Sequence, residues 1–169
     1  MGLDREQPSD ASGDRDLVEL QTSRDRNTAK ELAMEATKRV LSHPEAVTTK
    51  DDLGETTIIN TPNGEITLSR HRFKTGEEGI HLMFMHGKEK DGQGEWSVSQ
   101  DIEWVIKGRS LLWNWHEKVS VLGHNNRYLL PREVGSPPST QEKVLNKVTS
   151  VEGLRELQKE ILVHLPPSG

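Results

Sequence analysis

The sequence predicts an α+β fold: an antiparallel meander of five to six strands dominated by one long hairpin (residues 95–122), with an N-terminal helix and two C-terminal helices packed on the sheet. Three observations point there. Apolar side chains alternate through Trp96, Val98, Ile102, Trp104 and Ile106, and again through Leu111, Trp113, Trp115, Val119 and Val121. That period of two is the mark of a half-buried strand. Near both ends of the chain it gives way to the 3.6-residue period of amphipathic helices. Between the periodic stretches stand the Gly, Pro and Asn residues that make turns.

Composition bounds the rest. A chain of 169 residues is one domain by size, and its hydrophobic content of 31% is low. The mean hydropathy of −0.74 is strongly polar. The aromatics are unevenly placed, however: every Phe, Trp and Tyr lies between Phe73 and Tyr128, and five of the seven His lie between His71 and His124. The polar average therefore mixes an ordinary core with solvated flanks. With no cysteine the chain has no disulfide, no thiolate zinc site and no cysteine nucleophile. That composition fits a reducing, cytoplasmic setting. A net charge of −5 argues against general polyanion binding. The longest apolar run, Leu82-Met83-Phe84-Met85, is far shorter than a membrane helix. No signal peptide is visible, and Glu6 spoils the myristoylation motif that Met1-Gly2 suggests. A soluble protein with no membrane association is expected.

Residues 1–26 carry scattered charges with few large apolar groups (Leu17, Val18, Leu20), so they read as a disordered or docking tail preceding one domain over 27–165. From Thr28 to Ser42 a helical stripe of Ala29, Leu32, Ala33, Ala36 and Val40 appears, closed by His43-Pro44. Two strands then flank Thr61-Pro62-Asn63-Gly64. A type I turn with Gly64 as the left-handed residue of a bulge is favoured there, over an Asn63-Gly64 type I′ turn. Residues 79–86 are apolar on both faces, as in a central strand, and the glycine-rich stretch 87–94 reads as a mobile loop.

The long hairpin then turns at Gly108-Arg109, with glycine where a type II′ turn needs positive φ. That register sets Trp104 against Trp113, Ile102 against Trp115 and Gln100 against Glu117. On the opposite face it sets Asp101 against His116 and Glu103 against Asn114. A turn at 123–126, a short strand at 127–130 and a stiff Ser136-Pro137-Pro138 linker follow. Two capping boxes, Ser139 with Glu142 and Thr149 with Glu152, announce the C-terminal helices. The second helix has a stripe of Val151, Leu154, Leu157, Ile161 and Leu165.

Candidate chemistry is sparse. Asp101 opposite His116, with Glu103 on the diagonal, is half of a general-base arrangement, and an ordinary solvated ion pair is the plainer reading. His81 and His86 point to opposite faces of one strand and cannot share a metal directly. Convergence of His81, His86, His116 and His124 is the one route to a metal site, and neither a metal nor a cofactor is expected. Arg70, Arg72 and Lys74 form a basic stripe that is either a phosphate footprint or an edge-strand defence. Trp96, Trp104, Trp113 and Trp115 read first as core, and otherwise as a docking or stacking platform. No phosphate-cradling glycine motif and no nucleophile elbow is present.

These features point first to a non-enzymatic protein–protein interaction module: an adaptor, an immunity or chaperone-like protein, or an assembly subunit. Its partner would be a protein or, through a sheet edge or the Trp face, a second copy of the chain. A small hydrolase or metal-assisted enzyme using the His/Asp/Glu cluster is the alternative. Single-stranded nucleic-acid binding through the basic stripe and exposed Trp rings is a second alternative, disfavoured by the acidic charge.

Overall fold

Strand β8 (Ser97–Leu111) is paired along both edges, to β5 (Glu78–His86) and to β9 (Asn114–Leu129), and the remaining strands extend the sheet from these. A computed structural model describes residues 17–73, 76–87, 89–90, 93–94, 97–111, 114–129 and 142–167; within these, only the backbone is described for 89–90, 93–94, 97, 109–111, 114–117, 125–129 and 142–145. The other elements are β1 (Val18–Glu19), α1 (Ser23–Leu41), β2 (Val47–Lys50), β3 (Gly54–Thr61), β4 (Gly64–Arg72), the small ladder of β6 (Glu89–Lys90) with β7 (Gln93–Gly94), β10 (Glu142–Val148) and α2 (Val151–Leu162). The main sheet is antiparallel, in the order β1-β9-β8-β5-β4-β3-β2, with β10 beside β1 on the outer edge of β9. Among the described residues this sheet has eight strands and is accompanied by two helices, where five to six strands and three helices were expected.

The alternation places the core on one face. Cross-strand rows such as Leu68–Leu82–Ile102 and Ile80–Trp104–Val121 lie side by side on it. Both helices cover these rows, and Trp104 is fully buried beneath them. The α1 stripe of Ala29, Leu32, Ala33, Ala36 and Val40 is buried as its spacing predicts. So is the α2 stripe of Val151, Leu154, Leu157 and Ile161, joined by Gln158 and Leu162. Gln100 Nε2 donates to Glu160 Oε1 at 2.6 Å, fixing α2 across β8. Past Ser42, which caps α1, His43 accepts the Glu45 backbone N–H at Nδ1, so Nε2 carries the proton and donates to the Pro166 carbonyl at 2.9 Å. That bond ties the end of α1 to the segment after α2.

The chain enters α1 earlier than its apolar stripe suggests. Thr22 Oγ1 accepts the Asp25 N–H at 3.0 Å, and Arg26 donates back to the carbonyls of Leu20 and Gln21. The expected boundary at Arg26 therefore falls inside the helix, and Val18 and Glu19 pair with Val121 and Ser120 of β9.

Five local expectations are corrected. The long hairpin does not turn at Gly108-Arg109: Gly108 pairs with Glu117 and Arg109 with His116, and the connection at 112–113 lies outside the described residues. Trp104 consequently faces Val121 rather than Trp113. The slip is an even number of residues, so each side chain keeps its face while changing its partner; alternation fixes faces and leaves such slips open. Gly123 starts no turn, because β9 runs on to Leu129. A Cβ there would lie 3.1 Å from Leu157, so glycine lets α2 pack closely on the sheet.

Residues 142–148 form β10 rather than the first C-terminal helix. The free edge of β9 outweighs the local capping signal, which extends only to Ser139, outside the described residues. The α2 cap is Ser150, whose Oγ accepts the Gly153 N–H, and not Thr149. Finally, Thr61 pairs directly with Gly64, so Pro62-Asn63 is a two-residue connection and Gly64 is neither a left-handed bulge residue nor half of an Asn-Gly turn. Gly64 is required for another reason. A Cβ on it would stand 1.9 Å from the Met85 carbonyl oxygen, a backbone atom with nowhere to go. The two-sided strand at 79–86 is β5, in the middle of the sheet, with Leu82 and Phe84 buried on the helix side and His81, Met83 and Met85 partly covered on the other.

Gly64→Ala is expected to cost more than about 2 kcal/mol of folding stability, since the clash is with backbone. Gly76→Ala, strained at φ 90° but facing open space, should cost only about 1–2 kcal/mol. Urea denaturation of the two variants checks the order; equal losses would mean β4 and β5 part easily at Gly64.

Candidate functional site

The face turned away from the helices is where the chain concentrates buried polar groups. Two cross-strand rows run over it: Thr67–Met83–Asp101–His124 and Ser69–His81–Glu103–Leu122. Thr67, Asp101, Glu103 and His124 are buried, and His81 is partly so. The period that puts Ile102 and Trp104 in the core necessarily turns Asp101 and Glu103 to this side.

Asp101 is the centre. Its Oδ2 accepts from His81 Nε2 at 2.9 Å, and its Oδ1 accepts from His124 Nδ1. A diagonal neighbour on β5 and a direct partner on β9 thus grip one carboxylate. Burial pushes the Asp101 carboxyl up, but the hydrogen bonds from His124 and His81, with the charge those rings can carry, outweigh it and hold the group below its ordinary 3.8. The tautomers follow: His81 carries its proton on Nε2, which leaves Nδ1 as the basic nitrogen of the neutral ring.

The imidazole partners of Asp101 are therefore His81 and His124, and not His116, which pairs in register with Arg109. The cause is the even-numbered slip of the hairpin. His116 keeps the expected face and lies eight residues from its expected partner; its side chain is outside the described residues. Glu103 lies on the same face as Asp101, next to His81 in register. His86 is at the far end of β5 on the helix side, near Phe84, which stacks on His164 at 3.7 Å. Burial, then the charge of His86, lowers the His164 pKa. Among the described residues no group of three or more His, Asp or Glu side chains is arranged to hold a metal ion.

Two cavities flank the end of the sheet where β3, β4 and β5 meet. On the helix side, a groove of about 610 Å³ lies between α1 (Met34, Thr37, Lys38) and Leu53, Glu55, Arg70, Arg72, Glu78 and Ile80. On the far side, a cavity of about 350 Å³ is lined by residues including Ser69, His71, Phe73 and His81. Arg70 and Arg72 border both. Their strand is interior rather than at an edge, and each guanidinium already holds a carboxylate: Arg70 with Glu55, which Lys50 also approaches at 3.5 Å, and Arg72 with Glu78 at 2.8 Å. Lys74 lies outside the described residues, as do Trp96 and Trp113. Trp115 lies on β9, opposite Ser110, with its side chain undescribed, and the Trp104 ring is interior.

Two apolar residues at the groove escaped sequence reasoning. Met34, on α1, lines the groove and is 69% exposed; Leu53, in the β2–β3 turn, is 63% exposed. The Asp51 carboxylate accepts the N–H groups of both Leu53 and Gly54, at 2.8 and 2.9 Å, and the Leu53 carbonyl accepts from Arg72. An Asx turn over 51–54 was the one available signal for Leu53.

No protein-family model, no curated protein and no solved structure matches the chain.

Removing the carboxylate leaves two imidazoles without their acceptor, so Asp101→Ala should cost about 3–5 kcal/mol. Because folding lowers the Asp101 pKa, its share of stability is present in full above the unfolded value and is lost as pH falls through the lower folded value. Urea titrations between pH 7 and pH 2 should therefore show an acid loss of stability that is smaller in Asp101→Ala. Parallel pH profiles for the two chains would remove Asp101 as its source.

Proposed function

We propose that the chain is a protein–protein interaction module, an adaptor, chaperone-like protein or assembly subunit, that docks a partner in the groove between α1 and the β3–β5 end of the sheet. The observation that carries this reading is Leu53. Its backbone is fixed on both sides by the Asp51 carboxylate and the Arg72 N–H, yet its side chain is mostly exposed. An apolar side chain presented on an ordered turn binds with little loss of backbone entropy. Met34 faces the same groove from α1, so two exposed apolar groups flank one concavity of about 610 Å³.

Charge narrows the partner. Lys38, Arg70 and Arg72 border the groove against Glu55 and Glu78, and Lys50 also approaches Glu55. On a chain of net charge −5 this is a locally cationic rim. It suits a segment whose apolar side chain is flanked by carboxylates. Nucleic-acid binding draws less support, because a chain of net charge −5 has no general basic footprint for a phosphate backbone. The hydrolase built on His116, Asp101 and Glu103 loses its geometry, since His116 is displaced from Asp101.

The test is capture of a partner by the immobilised chain and by a Met34→Asp/Leu53→Asp double variant. Both side chains are exposed, so each substitution should change folding stability by no more than about 0.5 kcal/mol. The double variant should lose at least about tenfold in affinity, on the order of 1.4 kcal/mol. Equal capture by both chains would refute the groove, and a strict monomer that recovers no partner would refute the module.

A further inference from the structure

The far side of the same sheet end carries chemistry that partner docking does not use. Ser69 on β4 and His81 on β5 are direct cross-strand partners, and both line the cavity of about 350 Å³. Behind His81, the buried Asp101 carboxylate holds Nε2 at 2.9 Å. The basic Nδ1 is therefore left for a second partner. Directly opposed side chains have Cβ atoms about 4.5–5.5 Å apart, a separation that one hydrogen bond between a serine hydroxyl and an imidazole can span. Ser69 and His81 are not hydrogen-bonded to one another; bonds of this kind tighten when substrate fills the site.

We propose that Ser69 and His81 form an acyl-transfer site for small carboxylic esters, with Ser69 as nucleophile and His81 as general base. Sites for small molecules run from about 300 Å³ upward, so this cavity of about 350 Å³ admits a small ester. In the first step Ser69 Oγ bonds to the ester carbonyl carbon as its proton passes to His81 Nδ1. The bond to the alcohol oxygen then breaks, and the departing alcohol takes that proton. In the second step His81 removes a proton from water, the hydroxide adds to the acyl carbon, and the acid leaves as Ser69 regains its proton. The sum is ester plus water giving acid plus alcohol, with no further reactant. Asp101 orients the ring throughout and touches no substrate.

A fluorophosphonate probe tests this, since it transfers its phosphonyl group to an activated serine and releases fluoride. The folded wild-type chain should acquire one adduct, mapped to Ser69 by peptide mass spectrometry, a readout that needs no variant to fold. His81→Gln should slow the labelling by about 100-fold or more, the usual scale of a general base. Hydrolysis of p-nitrophenyl acetate should fall in parallel, and Ser69→Ala should abolish both. An absent adduct, an adduct on another serine, an unchanged rate in His81→Gln, or equally fast labelling of the urea-unfolded chain would each overturn the proposal.

Discussion

Pairing of β8 along both its edges is the constraint from which the rest of the molecule follows. A strand held on two sides cannot rotate, so its alternation assigns every residue to a face once and for all. Ile102 and Trp104 go under the helices, and Asp101 and Glu103 go to the other side. The apolar half supplies the surface on which α1 and α2 settle. The polar half places a carboxylate where neighbouring strands must provide its partners.

Those partners come from both neighbours of β8, which makes the polar cluster more than a surface pair. His81 belongs to β5 and His124 to β9, so a single side chain couples three adjacent strands. Exposed opposite-charge pairs, of which Arg72–Glu78 at the sheet end is one, contribute little in general. A buried carboxylate with both oxygens engaged is different, because separating any two of the strands leaves part of it unsatisfied. The helix side of the sheet is thus held by apolar burial, and the other side adds a hydrogen-bonded carboxylate to the burial of Val105 and Leu122.

What could be read in the residues, and what could not, divides along the same line. Face assignments were legible: the buried stripes of both helices and the burial of Trp104 follow directly from periodicity. Register was not, because Gly108 offered a favourable turn and a slip by an even number of residues leaves the hydrophobic pattern untouched. The same slip changes the polar face, where His81 and His124 rather than His116 meet Asp101. Residues 142–148 carry a local helix-capping signal, which says nothing of the unpaired edge of β9 that they join. Gly64 and Gly123 stand in local sequences that suit turns, whereas close approach of another segment is what excludes their side chains. In each case the missing information was long-range.

The position of α2 along the chain has a consequence for how the molecule is made. Its residues Leu154, Leu157 and Ile161 supply much of the cover for the apolar face, and the bond from His43 to Pro166 joins positions 123 residues apart. Contacts of such sequence separation close late, after their loop-closure entropy has been overcome. During synthesis, then, the strands around Trp104 emerge well before residues 151–162 exist to shield them. A nascent sheet with a naked apolar side is prone to association. The interval between translation of β9 and translation of α2 is the period in which this chain most needs protection from its neighbours.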